Sequence, residues 1–174
     1  DFSFETIRLI HLHLSIPLII IFYKCLSLKF KNIEKSYLVL LSLVIFLSPT
    51  FRSLSIWPDS RLPGLLFFTI TIYFFLKYEE TRSEKFIWLT SFFLIVSSYI
   101  SPNFSLFFFY FFYKIFKQIS FSKVLLFFLF NFILALPMFF YVFIMGVNFL
   151  TSGQTPTLNN QSIASNYNFA NKIL

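Results

Sequence analysis

Residues 62–100 read LPGLLFFTITIYFFLKYEETRSEKFIWLTSFFLIVSSYI. Two apolar runs, Leu62–Leu76 and Phe86–Ile100, flank the cluster Lys77-Tyr78-Glu79-Glu80-Thr81-Arg82-Ser83-Glu84-Lys85. Charge this dense is too costly for hydrocarbon, and runs this apolar suit lipid. The stretch reads as two membrane helices joined by a solvated loop. The same alternation continues in both directions. Lys29, Lys31 and Lys35 fill one break, and Lys114, Lys117 and Lys123 another. The breaks between them hold only Arg52 and Arg61, or no charge at all around Ser101-Pro102-Asn103. Cytoplasmic loops of membrane proteins carry the excess of Lys and Arg. With Lys24, ten basic residues fall on one side, against Arg8, Arg52, Arg61 and Lys172 on the other. The bias places the N-terminus outside and the segment Ser48–Arg61 on the outer face.

Hydrophobic residues make up 57% of the chain and charged residues 12%, where soluble domains carry about a quarter charged. A net charge of +7 in a soluble protein would suggest nucleic acid. Here the basic residues adjoin apolar runs on one side, so anionic lipid headgroups are the expected partner and nucleic acid is not. Phe, at 30 residues, serves as lipid-compatible bulk. The single Cys25 allows neither an intrachain disulfide nor a multi-cysteine metal site, and reads as a small buried residue. With only Gly64, Gly146 and Gly153, close small-residue helix packing is not expected.

The expected architecture is an all-α polytopic transmembrane bundle. A chain of 174 residues accommodates about six spans. They are read as Ile7–Leu28, Ser36–Arg52, Leu62–Tyr78, Phe86–Ile100, Phe104–Phe116 and Val124–Leu150, with kinks at Pro17 and Pro137. Residues 1–150 form the membrane domain. Residues 151–174, rich in Ser, Thr, Asn and Gln, form an outer loop or the start of an outer domain. The fourth and fifth spans are short. Either Ser97, Ser98, Ser101 and Asn103 face a wet cavity, or the two spans form a re-entrant hairpin.

The outer segment Ser48-Pro49-Thr50-Phe51-Arg52-Ser53-Leu54-Ser55-Ile56-Trp57-Pro58-Asp59-Ser60-Arg61-Leu62-Pro63-Gly64 carries the chemistry. Asp59 is the only acid between Glu34 and Glu79. Flanked by Arg52 and Arg61, it stays ionised and suits three tasks: orienting a hydroxyl, holding a divalent metal or steering an amine. The arginines suit phosphate, and Trp57 suits headgroup depth. The plainer alternative is an interfacial loop, in which Asp59 caps the next helix at its positive end. Tyr99 and Asn103 offer polar groups for sugar recognition, although a turn there also calls for Ser, Pro and Asn. His11 is a weaker metal candidate. His13, two residues on, points about 200° away on a helix, so the pair does not converge on one ion. The tripeptides at Asn103 and Asn160 fit a glycosylation pattern too common to weigh.

From the inbound span onward, the order of parts resembles the GT-C membrane glycosyltransferases, in particular the dolichyl-phosphate-mannose protein mannosyltransferase-like group and its bacterial relatives. The matching features are Ile7–Leu28 going in, Ser36–Arg52 coming out, then Ser-Pro-Thr-Phe-Arg and Trp-Pro-Asp-Ser-Arg. The resemblance implies sugar transfer from a polyprenyl-phosphate donor to a glycan, lipid or protein acceptor of the cell envelope. The site would face the outside of a bacterial inner membrane. Asp59 would stand for the family's second outer-loop acid, and Arg52 and Arg61 for phosphate or substrate contacts. The family's first outer loop, with its catalytic acid, would fall before Asp1, and neither Asp1 nor Glu5 has its acid-acid-aromatic setting. The chain is therefore expected to be part of a longer protein. A flippase or transporter of envelope lipid or glycan is the alternative, although the span interiors lack the acids that ion coupling favours. An envelope polysaccharide polymerase is a further one.

Overall fold

The structure is a computed structural model that describes residues 4–57 and 59–143. Among these the chain is all helical: α1 Phe4–Lys29, α2 Lys35–Leu43, α3 Pro49–Ile56, α4 Arg61–Thr81, α5 Lys85–Ile100, α6 Phe107–Phe116 and α7 Phe121–Phe143. Short 3-10 turns lie at Val44–Leu47 and Pro102–Leu106. The chain divides into two compact units, 1–136 and 137–174; the second is described only over the end of α7. The last stretch of the expected sixth span, to Leu150, and the polar segment 151–174 lie outside the described residues.

Glu5–Lys29, Arg61–Thr81 and Phe121–Phe140 are long and apolar enough to cross a membrane. They stand where six spans were expected; counting one bent pair as a span makes four. The expected second span, Ser36–Arg52, is broken: Lys35–Leu47 and Pro49–Ile56 meet at 72°. Ser48 is extended, its hydroxyl accepts the Phe51 N–H, and Pro49 occupies the first turn of α3. A helix start tolerates proline because the missing N–H has no partner there anyway. Pro49 therefore opens a helix rather than closing a span. The 16 residues of α5 rise about 24 Å and the 10 of α6 about 15 Å, short of a hydrocarbon core of roughly 30 Å.

Contacts set the helix directions. His11 lies on Asp59 at one end of α4 and Lys31 on Glu80 at the other, 2.7 Å apart, so α1 and α4 are parallel. Phe68 meets Phe107 at 4.6 Å and Phe75 meets Phe111 at 5.0 Å, so α6 follows α4 as well. The Ser97 hydroxyl donates to the Gly64 carbonyl at 3.0 Å, which sets α5 antiparallel to α4. Contacts of Ser91 with Asn131 and of Lys123 with Glu84 lay α7 along α5. All three lysine-rich breaks therefore meet at one end, tied by Lys31–Glu80, Lys77–Glu80, Lys123–Glu84 and Arg82–Gln118. The outward faces are apolar: Leu9, Ile16 and Ile20 on α1 and Leu125, Leu129 and Phe132 on α7 are exposed.

The interior departs from two expectations. Ser97 and Ser101, set toward a wet cavity in one of the two readings, are buried, and Ser98 donates to Leu94 O within its own helix. Small residues also bring α4 and α5 close. A Cβ on Gly64 would stand 2.8 Å from Ser101 Cβ and 3.2 Å from the Phe104 ring. Thr69, Thr71 and Thr90 are buried too, each hydroxyl donating to the carbonyl four residues back. Such bonds let a polar side chain enter an apolar contact without an unpaired group. Serine and threonine work beside Gly64 in this close packing. Gly64→Ala is expected to destabilise the protein by about 1–3 kcal/mol through overpacking. Ser101→Gly in the same chain should recover part of that loss, with thermal unfolding in detergent as the readout.

Candidate functional site

At the end opposite the lysines, the chain leaves α3 through Trp57, in extended conformation, and enters α4 after Ser60. The Asp59 carboxylate is fixed by this turn. Its Oδ1 accepts the Arg61 backbone N–H at 2.8 Å. That N–H is one of the donors a helix start leaves open, and a carboxylate is favourable at this positive end. Its Oδ2 lies 3.2 Å from Arg61 Nε, with the Asp59 side chain 30% and the Arg61 side chain 69% exposed. An ion pair this open adds at most about 1 kcal/mol. Its consequence is orientation: the carboxylate is held, and the guanidinium remains open to a ligand.

His11 supports the turn from α1. The ring is buried, and its Nε2 lies 2.8 Å from the Asp59 carbonyl oxygen and 3.3 Å from the Asp59 nitrogen. The shorter contact assigns the proton to Nε2, which donates to the carbonyl. Nδ1 is the one buried side-chain nitrogen or oxygen among the described residues without a partner. One turn before His11, the Arg8 guanidinium sits 5.6 Å from the centre of the Trp57 ring, within cation–π range. A cleft of about 400 Å³, lined by Glu5, Arg8, Leu9, Leu12 and Ile56, opens here.

The structure thus gathers His11, Asp59 and Arg61 around one turn, with Arg8 packed on Trp57 at the same end. It does not bring in Arg52. Among the described residues, Asp59 pairs with one guanidinium rather than the expected two, because Arg52 is exposed on α3, a separate helix. The Tyr99 hydroxyl is turned to α7, donating to Leu134 O at 2.5 Å. Asn103 is exposed on the 3-10 turn after α5. His13 is exposed and donates through Nδ1 to Leu9 O at 2.6 Å. Cys25 is buried, with its thiol donating to Thr69 O.

Arg8 and the structural part of His11 escaped the sequence pattern, which holds no signal for a contact between positions 48 residues apart. Asn131 was also missed, although the sequence carries its signal: it is the only amide in the run Val124–Phe143, and a polar group at such depth needs a partner. It is buried and takes the Ser91 hydroxyl at 2.5 Å while donating to Phe127 O.

No three His, Cys, Asp or Glu residues gather among the described residues. Asp59 offers one carboxylate, and Arg61 shares it. Comparison with family models, characterised proteins and solved structures gives no match for this chain.

Substituting His11 by Phe keeps a ring while removing the bond to the Asp59 backbone. An unmet buried carbonyl costs about 1–3 kcal/mol. The variant is expected to melt earlier and to be cut faster by protease near Ser60, whereas His13→Phe leaves both readouts unchanged.

Proposed function

We propose that this chain is part of a polytopic membrane glycosyltransferase that takes a sugar from a polyprenyl-phosphate donor at the outer face. The observation that carries the reading is the placement of Asp59. It is a half-buried carboxylate oriented by α4 and Arg61, at the end of the helices opposite the gathered lysines. Charge bias makes the lysine end cytoplasmic, so Asp59 meets outside water near the depth of lipid phosphates.

In the proposed step an acceptor hydroxyl attacks the anomeric carbon of the donor sugar. The new C–O bond forms as the bond to the phosphate oxygen breaks, and the polyprenyl phosphate leaves with that electron pair. Asp59 orients the hydroxyl and takes its proton. Arg61, exposed over most of its side chain, stabilises the departing phosphate, and Arg52 meets the donor from α3. Trp57, exposed beside Arg8, offers an aromatic face to the sugar, and Asn103, exposed on the turn after α5, contacts the acceptor. No step is routed through a metal. In this reading the six apolar segments alternate across the bilayer from an outer N-terminus, with α2 and α3 forming one bent crossing and α5 and α6 two short ones.

Sugar transfer from a radiolabelled polyprenyl-phosphate donor, assayed with the full-length protein in membranes, tests the reading. Asp59→Asn is expected to lower the rate by about 10²- to 10⁴-fold at unchanged expression. Arg61→Ala is expected to raise the donor KM more than the acceptor KM. Unchanged turnover in Asp59→Asn removes this carboxylate from the mechanism.

A further inference from the structure

A second feature lies at the lysine end. Both α1 and α6 lie along α4 and leave between them a groove of about 530 Å³, within the roughly 300–1,000 Å³ typical of ligand pockets. Its walls are apolar and follow helical spacing. Phe22 and Leu26 come from α1, Phe68 and Phe75 from α4, and Phe107 and Phe111 from α6. Each pair is separated by four or seven residues and so shares a helix face. The polarity changes at one end. Lys29 and Lys114 line the groove there, each in the last turn of its helix, with Glu79 the one acid among the lining residues.

Lys29 and Lys114 are the two lysines that line this groove. Lys31, Lys77 and Lys123 are paired with Glu80 or Glu84. Among the described residues neither Lys29 nor Lys114 makes an ion pair; Lys114 only approaches the Tyr110 ring, at 5.9 Å. Two unpaired ammonium groups at the mouth of a hydrocarbon-lined slot have a natural complement, a phosphate carrying an acyl chain. The cytoplasmic leaflet supplies anionic lipid at that depth, and lysine stems reach along apolar walls to place their heads at the interface.

We infer that the groove between α1, α4 and α6 holds one acyl chain of an anionic phospholipid of the inner leaflet, with its phosphate seated on Lys29 and Lys114. The site is at the opposite end of α4 from Asp59 and stands or falls separately from sugar transfer.

The test places the full chain in lipid nanodiscs. Ile72→Trp puts a fluorophore on the groove lining, and the parent chain corrects for Trp57 and Trp88. Brominated-chain phosphatidylglycerol or phosphatidylcholine is titrated in as quencher. Phosphatidylglycerol is expected to quench at a lower mole fraction, by about fivefold for each lysine engaged. Lys29→Gln with Lys114→Gln abolishes that preference. Lys24→Gln with Lys35→Gln removes the same charge from the neighbouring cleft and leaves the preference intact. Equal quenching by the two lipids overturns the proposal, as does equal loss in the two double variants. A groove shielded from both lipids by a second copy of the chain, seen as a crosslinked dimer, overturns it too. Should Ile72→Trp fail to fold, native mass spectrometry of the unaltered chain decides. Retained phosphatidylglycerol that is lost in the Lys29/Lys114 variant supports the groove; no retained lipid, or equal retention in both, overturns it.

Discussion

The separation of charged from apolar residues organises this protein. The net-basic chain could place its charges in many ways, yet its helices alternate so that the three lysine clusters meet at one end and Arg8, Asp59 and Arg61 collect at the other. Between the two ends the helices carry Phe, Leu and Ile outward and pack inward through aromatic rings and buried hydroxyls. The hydroxyls are paired within the protein, mostly with carbonyls of their own helix, so the interior stays polar enough for close approach without leaving open hydrogen bonds.

Separation of charge gives the two ends different chemistry. At the end that bears Asp59 an acid is immobilised: α4 supplies an N–H, Arg61 supplies a cation, and His11 holds the backbone of Asp59 from α1. A carboxylate tied in this way is held in one orientation. At the lysine end the opposite holds. Lys31, Lys77 and Lys123 pair with Glu80 or Glu84, while Lys29 and Lys114, without an ion pair among the described residues, border an apolar groove. The helix that links the ends is α4, which contributes the acid's anchoring N–H and the floor of the groove.

The sequence exposed long-period features and concealed local ones. α1, α4 and α5 begin and end within a few residues of the apolar runs, because the boundary of a run is set by the same charges that end the helix. The grouping of lysine clusters was legible for that reason. The break between α2 and α3 was not: Ser48-Pro49 is a helix-start signal, but it is embedded in an apolar stretch whose composition reads as one span. Asp59 and Arg61 were legible as a pair from their spacing. The exclusion of Arg52 depends on that same break, and the part played by His11 depends on helix packing that no local spacing encodes. Close packing of α4 on α5 was misjudged by counting glycines, since Ser97 and Ser101 do the same steric work beside a single Gly64.

Opposite sidedness of the two charged ends is the premise beneath both readings, and impermeant thiol labelling measures it directly. With Cys25 replaced by alanine, one chain carries Ser60→Cys beside the acid and another Ser120→Cys in the lysine end; both native serines are exposed. On intact cells a membrane-impermeant maleimide is expected to label position 60, and position 120 only after permeabilisation. Labelling of position 120 from outside, or of both positions from the same side, would contradict the arrangement described here.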